Sequence, residues 1–477
     1  MSTFAGLGTA LSSLIAQRQA LEVAGQNVAN ANTDGYTRQR VTFSSVSAAQ
    51  VPSMFSTSNG VGQGTRIGSV DRLADVFLDT KLRVATSSSS FLAARAEAYA
   101  QLESSTGEPK ATGLSGTLST MWAAWQDVAN YPGKEASRAV LLESSRAVAD
   151  RLGTLYGAVQ TQWTQTRSST VALVDQVNAA AESIADLNGR IAAITASGAN
   201  AHELSDQRDL LVTQLSELVG ATSDVRADGG IDVFVGGNAL VSGSRSSALA
   251  VAGATSFGQV TGTPPQAVAV VWADRPDQDA ALSGGRVAGL LSVLAPAAAG
   301  GTGGVLAETA ARYDDFARTL ADQVNALHGP ALTTAGDPGG AFFTFAAGRP
   351  AAQGLTVAVT DPADVAVATS GAGALDGSVG HAIGRLGTAE DGPDARWNAV
   401  VVDLGVRTSS AASRAKVAEA ARSTAEQQQL AQASVDTDQE TVDMLAFQRA
   451  YEGAARVLTA IDEMLDTLIN RTGVVGR

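Results

Sequence analysis

Both ends of the chain carry apolar residues at the alternating three- and four-residue spacing of heptad helices, on either side of a mixed middle. Arg18 and Gly25 interrupt the N-terminal repeat, whereas the C-terminal repeat is continuous. An isolated helix of this kind cannot bury its apolar stripe, so we expect the terminal helices to pair with each other or with neighbouring subunits. The stripe residues are Phe4, Leu7, Leu11, Leu14, Leu21 and Val28 at the N-terminus, and Phe447, Tyr451, Ala454, Leu458, Ile461, Leu465 and Leu468 at the C-terminus.

An asparagine-rich stretch, NVANANTDGYTRQ at residues 27–39, follows the N-terminal stripe. Asn and Asp side chains compete for backbone hydrogen bonds, and Gly35 can adopt a left-handed conformation, so the helix should end near residues 30–35. The β-branched and aromatic residues after Tyr36 predict an extended segment. The glycine-rich stretch at residues 60–70 predicts a further strand or a hairpin.

The middle of the chain divides into helical and β-rich segments at turn-forming residues. A Tyr-Pro-Gly turn at residues 131–133 separates two helices, a long helical segment follows over 135–194, and the next helix ends at Gly220. Residues 221–274 alternate apolar and polar positions between glycine-rich turns, which is typical of short antiparallel strands. Residues 336–405 are rich in Gly, Ala and Pro with short valine runs, and we expect a second, irregular β region there.

These segments predict a mainly helical α+β fold. Aromatic residues make up only 5% of the chain, so its cores must rely on Ala, Leu and Val, which favours close helix packing. We expect the paired terminal helices to form a coiled-coil inner domain, the long helices a middle domain, and the β-rich segments outer insertions. The predicted boundaries are 1–40 with 431–477 for the inner domain, 41–220 with 275–335 and 406–430 for the middle domain, and 221–274 with 336–405 for the outer regions.

Charge and cysteine content exclude several classes of function. The chain has 47 acidic and 33 basic residues and a net charge of -14, without the clustered basic surface that nucleic acid binding needs. The absence of cysteine excludes disulfides, thiol nucleophiles and cysteine-ligated zinc. The N-terminus lacks the basic and apolar regions of a cleaved secretory signal, and no apolar run reaches the ~18 residues of a membrane span. We therefore expect neither nucleic acid nor membrane as a partner.

No set of residues points strongly to a catalytic, metal or cofactor site. His202, His328 and His381 lie far apart in the sequence, and we expect structural or solvated roles for them. Trp122 and Trp125 lie three apart on a predicted helix, which is more typical of a core stripe than of a base-stacking surface. The glycine-rich stretches match no nucleotide-binding motif, so no cofactor is predicted.

Two acidic stretches need a separate interpretation. In SDQRDLL, Asp206 and Asp209 flank Arg208 and could supply a general acid and base, although a charged helix face with local ion pairs is the favoured reading. In VDTDQE, the alternating acids lack the glycine and the final glutamate of a calcium loop. Asp436 is instead expected to cap the C-terminal helix, with further acids at the positive end of its dipole.

The stretch at residues 27–39 resembles the N-terminal signature of the bacterial flagellar axial proteins, which comprise rod, hook and hook-associated proteins. A C-terminal stretch, DMLAFQRAYEGAARVLTAIDEMLDTLIN, is similar to the family's Gln-x-Ala-Tyr helix. Two signatures at opposite ends, in the correct order, make the resemblance specific. The matching residues are Asn27, Asn30, Thr33, Gly35, Tyr36, Arg38 and Gln39 at the N-terminus, and Gln448, Ala450 and Tyr451 at the C-terminus.

Within this family, the chain is most similar to the hook-associated members. The Arg38-Gln39 pair, the Asp-Gln-Arg-Asp helix that begins near Asp206, and a helix of the Asn-x-x-His type at His328 carry this similarity. The resemblance implies a structural component of the flagellum rather than an enzyme. Alternatives left open are another axial member, such as a hook, rod or third-type junction protein, and an enzyme carried on the outer domain.

The resemblance also implies a location and a set of partners. We expect the chain to leave the cell through the flagellar type III apparatus, without a cleaved signal, and to reside extracellularly at the hook–filament junction. Its expected partners are further copies of itself in a ring, the hook protein, the next junction protein toward the filament, and an export chaperone. The stripe residues of the two terminal helices are the predicted self-interaction surface.

Overall fold

The computed structural model describes residues 3–47 and 62–471, and the side chains of residues 6–47 and 62–470. Within these residues the chain is mainly helical, which confirms the predicted fold class. Its longer helices, in chain order, are α1 (Thr3–Ala29), α2 (Val76–Thr106), α3 (Leu114–Asn130), α4 (Glu135–Ala196), α5 (His202–Val219), α7 (Gly285–Leu294), α8 (Val305–His328), α11 (Pro393–Ala433) and α12 (Thr437–Asp466). Three short helices are α6 (Phe257–Val260), α9 (Ala351–Gly354) and α10 (Ser378–Gly384).

In the described part of the chain, the strands form four small antiparallel sheets. The predicted extended segment after Tyr36 forms β1, and the predicted strand in the glycine-rich stretch forms part of β2; the two pair with Gln39 opposite Arg72 and Ser45 opposite Thr65, and we call this pair the hairpin. The other sheets are β3–β4–β5–β6, β7–β8–β9 and β10–β11. The strands are β1 (Gln39–Ser45), β2 (Thr65–Arg72), β3 (Thr222–Val225), β4 (Ile231–Val235), β5 (Asn238–Ser242), β6 (Arg245–Ser246), β7 (Leu249–Gly253), β8 (Val268–Trp272), β9 (Arg275–Asp279), β10 (Phe343–Phe345) and β11 (Leu355–Val357).

Helix α4 is the longest element and organises two hydrophobic cores. Its 62 residues run without interruption and span about 93 Å at the usual helical rise. The first core surrounds its N-terminal half and includes Trp125, Trp163 and Trp397, all fully buried. The predicted core role of Trp122 and Trp125 is thus confirmed.

The second core lies between the C-terminal half of α4, helix α5 and the two central sheets. Val233 and Val270 of neighbouring sheets are buried in this core, and so is Trp272. Gly220 follows the last residue of α5 and takes a positive φ of 69°. A Cβ there would lie only 2.8 Å from the carbonyl carbon of Gly284, so the close approach of these segments requires glycine.

The prediction of a β region at residues 336–405 is wrong. It contains only the three-residue strands β10 and β11, and its last thirteen residues belong to α11. The valine run at residues 400–402 lies inside that helix, with Val402 exposed and Leu404 buried. A short apolar run does not distinguish a strand from a helix, and a helix of 41 residues overrides the local preference of valine.

We call α1, β1, β2 and α12 the terminal module, and the elements from α2 to α11 the body. Chain segments connect the two at residues 73–75 and 434–436. Asp75 and Asp436 end these segments, and each carboxylate accepts backbone N–H groups of the helix that follows. Among the described helices, none combines the length and apolar character needed to cross a bilayer.

Candidate assembly site

Helices α1 and α12 pack along each other in antiparallel orientation. Gly6, near the start of α1, lies against Ile461 near the end of α12, and Asn27 contacts Glu440 at the start of α12. From residue 6 onward, where the side chains of α1 are described, its buried apolar residues are alanines. Because these side chains are small, they let the neighbouring helix and the hairpin approach closely. They are Ala10, Ala16, Ala20 and Ala24.

The leucine stripe predicted for α1 lies beside this alanine seam rather than in it. Leu7, Leu14 and Leu21 are half-buried, whereas Leu11 and Val28 are 47% and 37% exposed. Bulky residues of α12 already fill the space between the helices, which leaves room only for small side chains on α1. Helical spacing identifies the residues that share a face, but it does not decide which of two adjacent faces meets the partner. Phe4 lies in α1, but its side chain is outside the described residues.

The stripe predicted for α12 does face α1. Ala454 and Ile461 are buried, and the larger stripe residues beside them are half-buried: Phe447, Tyr451, Leu458 and Leu465. Phe447 also meets Phe43 of the hairpin, with ring centroids 6.2 Å apart. Leu468 lies in a π-helical turn after α12 and is 53% exposed.

A second row on α12 carries no charge and faces outward. Its members follow one another at steps of three and four residues, so they share one face of the helix. All of them are exposed in the isolated chain. They are Val442, Ala446, Ala450, Gly453, Val457, Ala460, Met464 and Leu468. The signature residue Ala450 belongs to this row, and Gln448 is also exposed.

Asn27 forms the centre of a buried hydrogen-bond network where the two helices meet the hairpin. Its Nδ2 donates to the Gln39 carbonyl at 2.8 Å and to Glu440 Oε2 at 3.1 Å. Its Oδ1 accepts from Tyr36 OH at 2.9 Å and from the Gln39 N–H at 3.0 Å. All four hydrogen-bonding positions of this amide are therefore occupied. One side chain links the end of α1, the start of β1 and the start of α12.

The remaining N-terminal signature residues shape the turn after α1. Asn30 Nδ2 donates to the Gln26 carbonyl, and Thr33 Oγ1 donates to Asn30 Oδ1 at 3.3 Å. Gly35 adopts a φ of 78°, which favours glycine, and lies against Leu210 of α5. This turn places Tyr36 so that its hydroxyl reaches Asn27.

Arg38 joins the network to α12 by charge. Its Nε lies 2.5 Å from Glu440 Oε1, and its NH2 lies 3.6 Å from Asp443 Oδ2. Its backbone N–H donates to the Ala433 carbonyl, and its carbonyl accepts from the Leu73 N–H, each at 2.9 Å. Arg38 therefore ties together both segments that connect the terminal module with the body.

The network is also electrostatically linked to α5. Burial, together with the carboxylates of Asp206 and Glu203, raises the pKa of Tyr36 to about 12. The Tyr36 hydroxyl therefore stays neutral and able to donate throughout the physiological range. Gln39 is buried, and its Nε2 lies 3.4 Å from Glu203 Oε1.

The charged residues of α5 form ion pairs with the hairpin as well as with each other. The interpretation of SDQRDLL as a helix face with local ion pairs alone is therefore corrected. Asp206 is 5% exposed and forms an ion pair with Arg72 of β2 at 2.7 Å. Arg72 also pairs with Asp209 at 2.9 Å. Arg208 is buried, and its NH1 donates to the Gly229 carbonyl at 2.7 Å. Arg72 and Glu440 were missed from the sequence because their partners lie 137 and more than 400 residues away along the chain.

The three histidines occupy separate structural positions. His202 Nε2 donates to the Val70 carbonyl, and His381 Nδ1 lies 2.6 Å from Gln126 Oε1. His328 is fully buried; its Nδ1 donates to the Gly340 carbonyl and its Nε2 accepts from the Ala366 N–H. Burial lowers the pKa of His328, which is consistent with the neutral form. Over the described ranges, His, Asp and Glu side chains nowhere converge as a metal site would require.

Comparison with known proteins places these features in a family. The model for the flagellar hook-associated protein FlgK helical domain matches residues 99–343. Models for the flagellar basal body rod protein and for the C-terminal region of the rod FlgEFG proteins match residues 7–37 and 426–471. These two matches cover most of α1 and all of α12.

Individual relatives agree with these matches. Flagellar hook-associated protein 1 of Bacillus subtilis is 29% identical over an alignment 513 positions long that covers all of both chains. The protein of the same name from Escherichia coli is 31% identical over 247 residues, which cover 51% of this chain and 44% of the relative. The solved flagellar hook junction protein FlgK of Burkholderia pseudomallei shares the fold, with a TM-score of 0.62 and 16% identity over 75% of this chain and all of that one. Because the helical-domain match spans slightly more than half of the 477 residues, this chain belongs to the flagellar hook-associated protein FlgK family.

Proposed function

We propose that the chain is a structural subunit of the bacterial flagellum, located in the ring that joins hook to filament, and that it performs no catalysis. The observation that carries this proposal is the terminal module. It pairs the two ends of the chain through Asn27, and it leaves an exposed uncharged row on α12 and a partly exposed leucine row on α1, interrupted by Arg18. Exposed apolar rows of this length mark surfaces made for other protein chains.

The geometry of the rows favours head-to-tail association of identical subunits. The leucine row of α1 and the uncharged row of α12 each lie about a third of a turn from the seam. In an antiparallel pair this arrangement puts the rows on opposite sides. A subunit with two different contact surfaces on opposite sides forms heterologous contacts, which close into rings or extend as helices. The α12 stripe faces α1 within the subunit and pairs the two terminal helices. The self-interaction surface between subunits therefore consists of the leucine row of α1 and the uncharged row of α12.

If the subunit lies in the flagellar axis between hook and filament, it has further protein partners on both sides. The ring would meet the hook protein on one face and the next junction protein on the other. Export through the type III apparatus requires an unfolded chain, and the cysteine-free sequence avoids crosslinks during passage. An export chaperone would bind the chain before assembly, and the uncleaved N-terminal region would serve as the signal.

The decisive experiment is localisation of the subunit along the flagellum. We expect a tag on the body, observed by electron microscopy, to mark one band between hook and filament. Cells that lack the protein should carry hooks and shed filament subunits into the medium. A tag distributed along the hook or the rod, or normal filaments in the deletion strain, would overturn the proposal.

Truncation tests the separate roles of the two regions. Removal of residues 1–40 or 435–477 should abolish assembly, because either deletion eliminates one helix of the terminal pair. Circular dichroism and thermal melting of residues 41–430 should still show a folded, cooperative body. A fragment that fails to fold would contradict the proposed division into assembly and body domains.

A further inference from the structure

Helix α11 turns a long uncharged face away from the body. Nine residues from Val402 to Ala431 follow one another at steps of three and four, so they lie on one side of the helix. All nine are exposed, whereas the opposite side carries the buried residues Leu404 and Thr408. The face spans about 44 Å at the usual helical rise. We call it the α11 row, and its members are Val402, Val406, Ser410, Ser413, Val417, Ala420, Thr424, Gln428 and Ala431.

Helix α4 carries a second face of the same kind. Nine uncharged residues from Thr154 to Ser183 also lie at steps of three and four, and they span about 44 Å. All are exposed except Ala158, which is half-buried. The opposite side of α4 packs into the two cores through Trp163 and Val177. We call this face the α4 row, and its members are Thr154, Ala158, Thr161, Gln165, Ser168, Ala172, Gln176, Ala179 and Ser183.

The two rows lie on different sides of the body. Helix α2 packs on α11, and α7 packs on both α2 and α4, so α2 and α7 lie between the two helices that carry the rows. Each row lies opposite the buried side of its own helix, and the described part of the chain leaves both rows open to solvent. One subunit therefore presents its two rows in different directions.

Helix α2 provides a common reference for the height of the two rows. Near its start, Lys81 Nζ donates to Gln428 Oε1 of α11 at 2.7 Å. Near its end, Glu103 lies beside Gly405 of α11. Helix α11 therefore runs antiparallel to α2, and the α11 row begins beside the end of α2.

Helix α4 runs antiparallel to α2 as well. The Ala98 carbonyl of α2 accepts from Gln162 Nε2 at 2.9 Å, and the Thr106 carbonyl accepts from the Arg151 guanidinium at 2.8 Å. The α4 row thus also begins beside the end of α2 and extends in the same direction as the α11 row. Because the two rows are equally long, they occupy similar heights on the body.

The composition of the rows is typical of a contact surface. About 25–35% of the surface residues of a soluble domain are charged, but neither row contains a charged residue. Depletion of charged residues distinguishes the centre of protein interfaces from the rest of the surface. Most row members are Ala, Ser, Thr or Val, and such small side chains let two helices approach closely.

Exposed charges at or near the edges of the two rows have opposite signs. Those of α11 are basic and those of α4 are acidic, and within the described ranges these side chains have no ion-pair partner. Opposite charge on two surfaces favours their encounter and rejects partners of like charge. The basic residues are Arg396, Arg414 and Lys416, and the acidic ones are Asp150, Asp175 and Glu182.

We propose that neighbouring subunits also contact each other through their bodies, with the α11 row of one copy packed on the α4 row of the next. The occupant is a second copy because one chain supplies both rows, with equal length, similar height and opposite charge at their edges. Such a contact joins two different surfaces, so it can repeat from subunit to subunit around a ring. This inference rests on the proposed function and adds a contact of the body to those of the terminal module.

Chemical crosslinking in assembled flagella tests this contact. The chain has no cysteine, so cysteines can be placed on the rows without background. Ser168 and Ser413 are exposed members of the two rows, and Ser168→Cys/Ser413→Cys replaces only an oxygen by a sulfur in each. Flagella are isolated from cells that carry this variant as their sole copy. They are treated with a flexible bismaleimide, which tolerates an offset between the rows, and denaturing electrophoresis separates monomers from multimers.

We expect dimers and larger multimers from the double variant. Ser168→Cys and Ser413→Cys alone should remain monomeric, because each row meets the other row and not itself. The matched control is Ser244→Cys/Ser413→Cys, in which the first cysteine moves to the exposed turn between β5 and β6. This control pair should also remain monomeric.

A charge placed on the α11 row should disrupt the contact without unfolding the body. Val417 is 69% exposed, and Val417→Asp in the double variant puts a carboxylate opposite the acidic edge of the α4 row. The multimers should be lost. Val225→Asp is the matched control, since Val225 is 63% exposed on β3 and belongs to neither row, and it should keep them. Circular dichroism should show the same melting of the body in both variants.

Several results would overturn the contact between bodies. Monomers alone from Ser168→Cys/Ser413→Cys, in flagella that contain the subunit, would show that the rows do not meet. Dimers from either single variant would show that a row packs on its own copy, and a crosslink to a different protein would assign the row to another partner. Multimers that persist in Val417→Asp would exclude the α11 row from the contact. Absence of the unmodified subunit from isolated flagella would contradict the proposed function itself, so the two failures are distinguishable.

Discussion

The body and the terminal module are both mainly helical, but they bury side chains of opposite size. The body surrounds α4 with tryptophans, phenylalanines and large aliphatic residues. The α1 side of the module buries alanines, and the module is fixed to its hairpin by the amide of Asn27. The fold of the body thus depends on large side chains that fill its interior. The fold of the module depends on the close approach of α1 to its neighbours and on the hydrogen-bond network of Asn27. Larger apolar residues of the module lie outside, where neighbouring subunits can contact them.

The largest effect should come from emptying the body core. Trp125 is fully buried, with its ring centroid 4.9 Å from that of Phe342. Trp125→Ala should lower the free energy of unfolding of the body by about 3–5 kcal/mol, because it leaves a cavity. Urea unfolding followed by circular dichroism measures this loss. Tyr131→Ala, at a half-exposed aromatic just after the same helix, should change it by less than ~0.5 kcal/mol. Equal losses in the two variants would contradict the contrast in packing.

The module should be most sensitive at Asn27. Asn27→Ala removes a partner from Glu440, Tyr36 and Gln39, and each buried polar group left unpaired costs about 1–3 kcal/mol. We expect faster hydrogen exchange of the α1 and α12 backbone amides and unchanged exchange in the body. Asn30→Ala is the matched control, since Asn30 bonds only within its own turn in the contacts described above. Unchanged exchange in α12 would show that Asn27 does not couple the two helices.

The alanine seam of α1 should be sensitive to larger side chains, whereas the body core is sensitive to smaller ones. Ala20 is 1% exposed between the module elements, and a leucine there forces them apart. Ala20→Leu should therefore destabilise the module by about 1–3 kcal/mol, as overpacking does. Gln19→Leu adds an apolar side chain one residue away on the exposed face and should be nearly neutral. Hydrogen exchange of α1 compares the two, and similar rates in both would argue against a tightly packed seam.

The smallest effect should appear at Tyr36. Its pKa of about 12 in the folded chain lies above the ordinary value of ~10, so the unfolded state loses this proton first as pH rises. The stabilisation is complete below pH ~10 and is lost as pH rises through the folded pKa. Tyr36→Phe should cost less than ~1.5 kcal/mol near neutral pH, and the tyrosinate difference spectrum against the parent chain should titrate near pH 12. A difference spectrum centred at pH ~10 would show that Tyr36 is not shielded.

Much of the fold follows from local patterns in the sequence. Proline and glycine at residues 132–133 separate α3 from α4, and apolar periodicity marks the terminal helices and α8. Alternation marks the strands between residues 222 and 272, whereas β9 at residues 275–279 lies in a segment that was assigned to the helical middle domain. The valine-containing stretch at the start of α11 is helical rather than part of a β region, because its apolar residues fit either period. The correct predictions and the wrong one have the same cause. The spacing of apolar residues indicates a helix or a strand only where it clearly fits one of the two periods.

Local patterns in the sequence predict only part of the candidate site. The sequence identified the stretch from Asn27 to Gln39 as the turn that ends α1, and the α12 stripe as the apolar face of that helix, which packs on α1. The charged partners could not, because Arg38 and Glu440 meet across 402 residues, and Asp206 meets Arg72 from a different element. An ion pair leaves no trace in local spacing when its two members lie on different elements.

By itself, the sequence determined that helices with apolar stripes begin and end this chain and that a polar turn follows the first. It also determined that the middle is mostly helical, because helix and strand periods are local properties of neighbouring residues. Only the tertiary structure decided that alanines rather than leucines of α1 face the hairpin and α12, and that Asn27 and Arg72 hold the joint. Those choices depend on the shape and charge of elements hundreds of residues away, against which each face of a helix is either buried or left free.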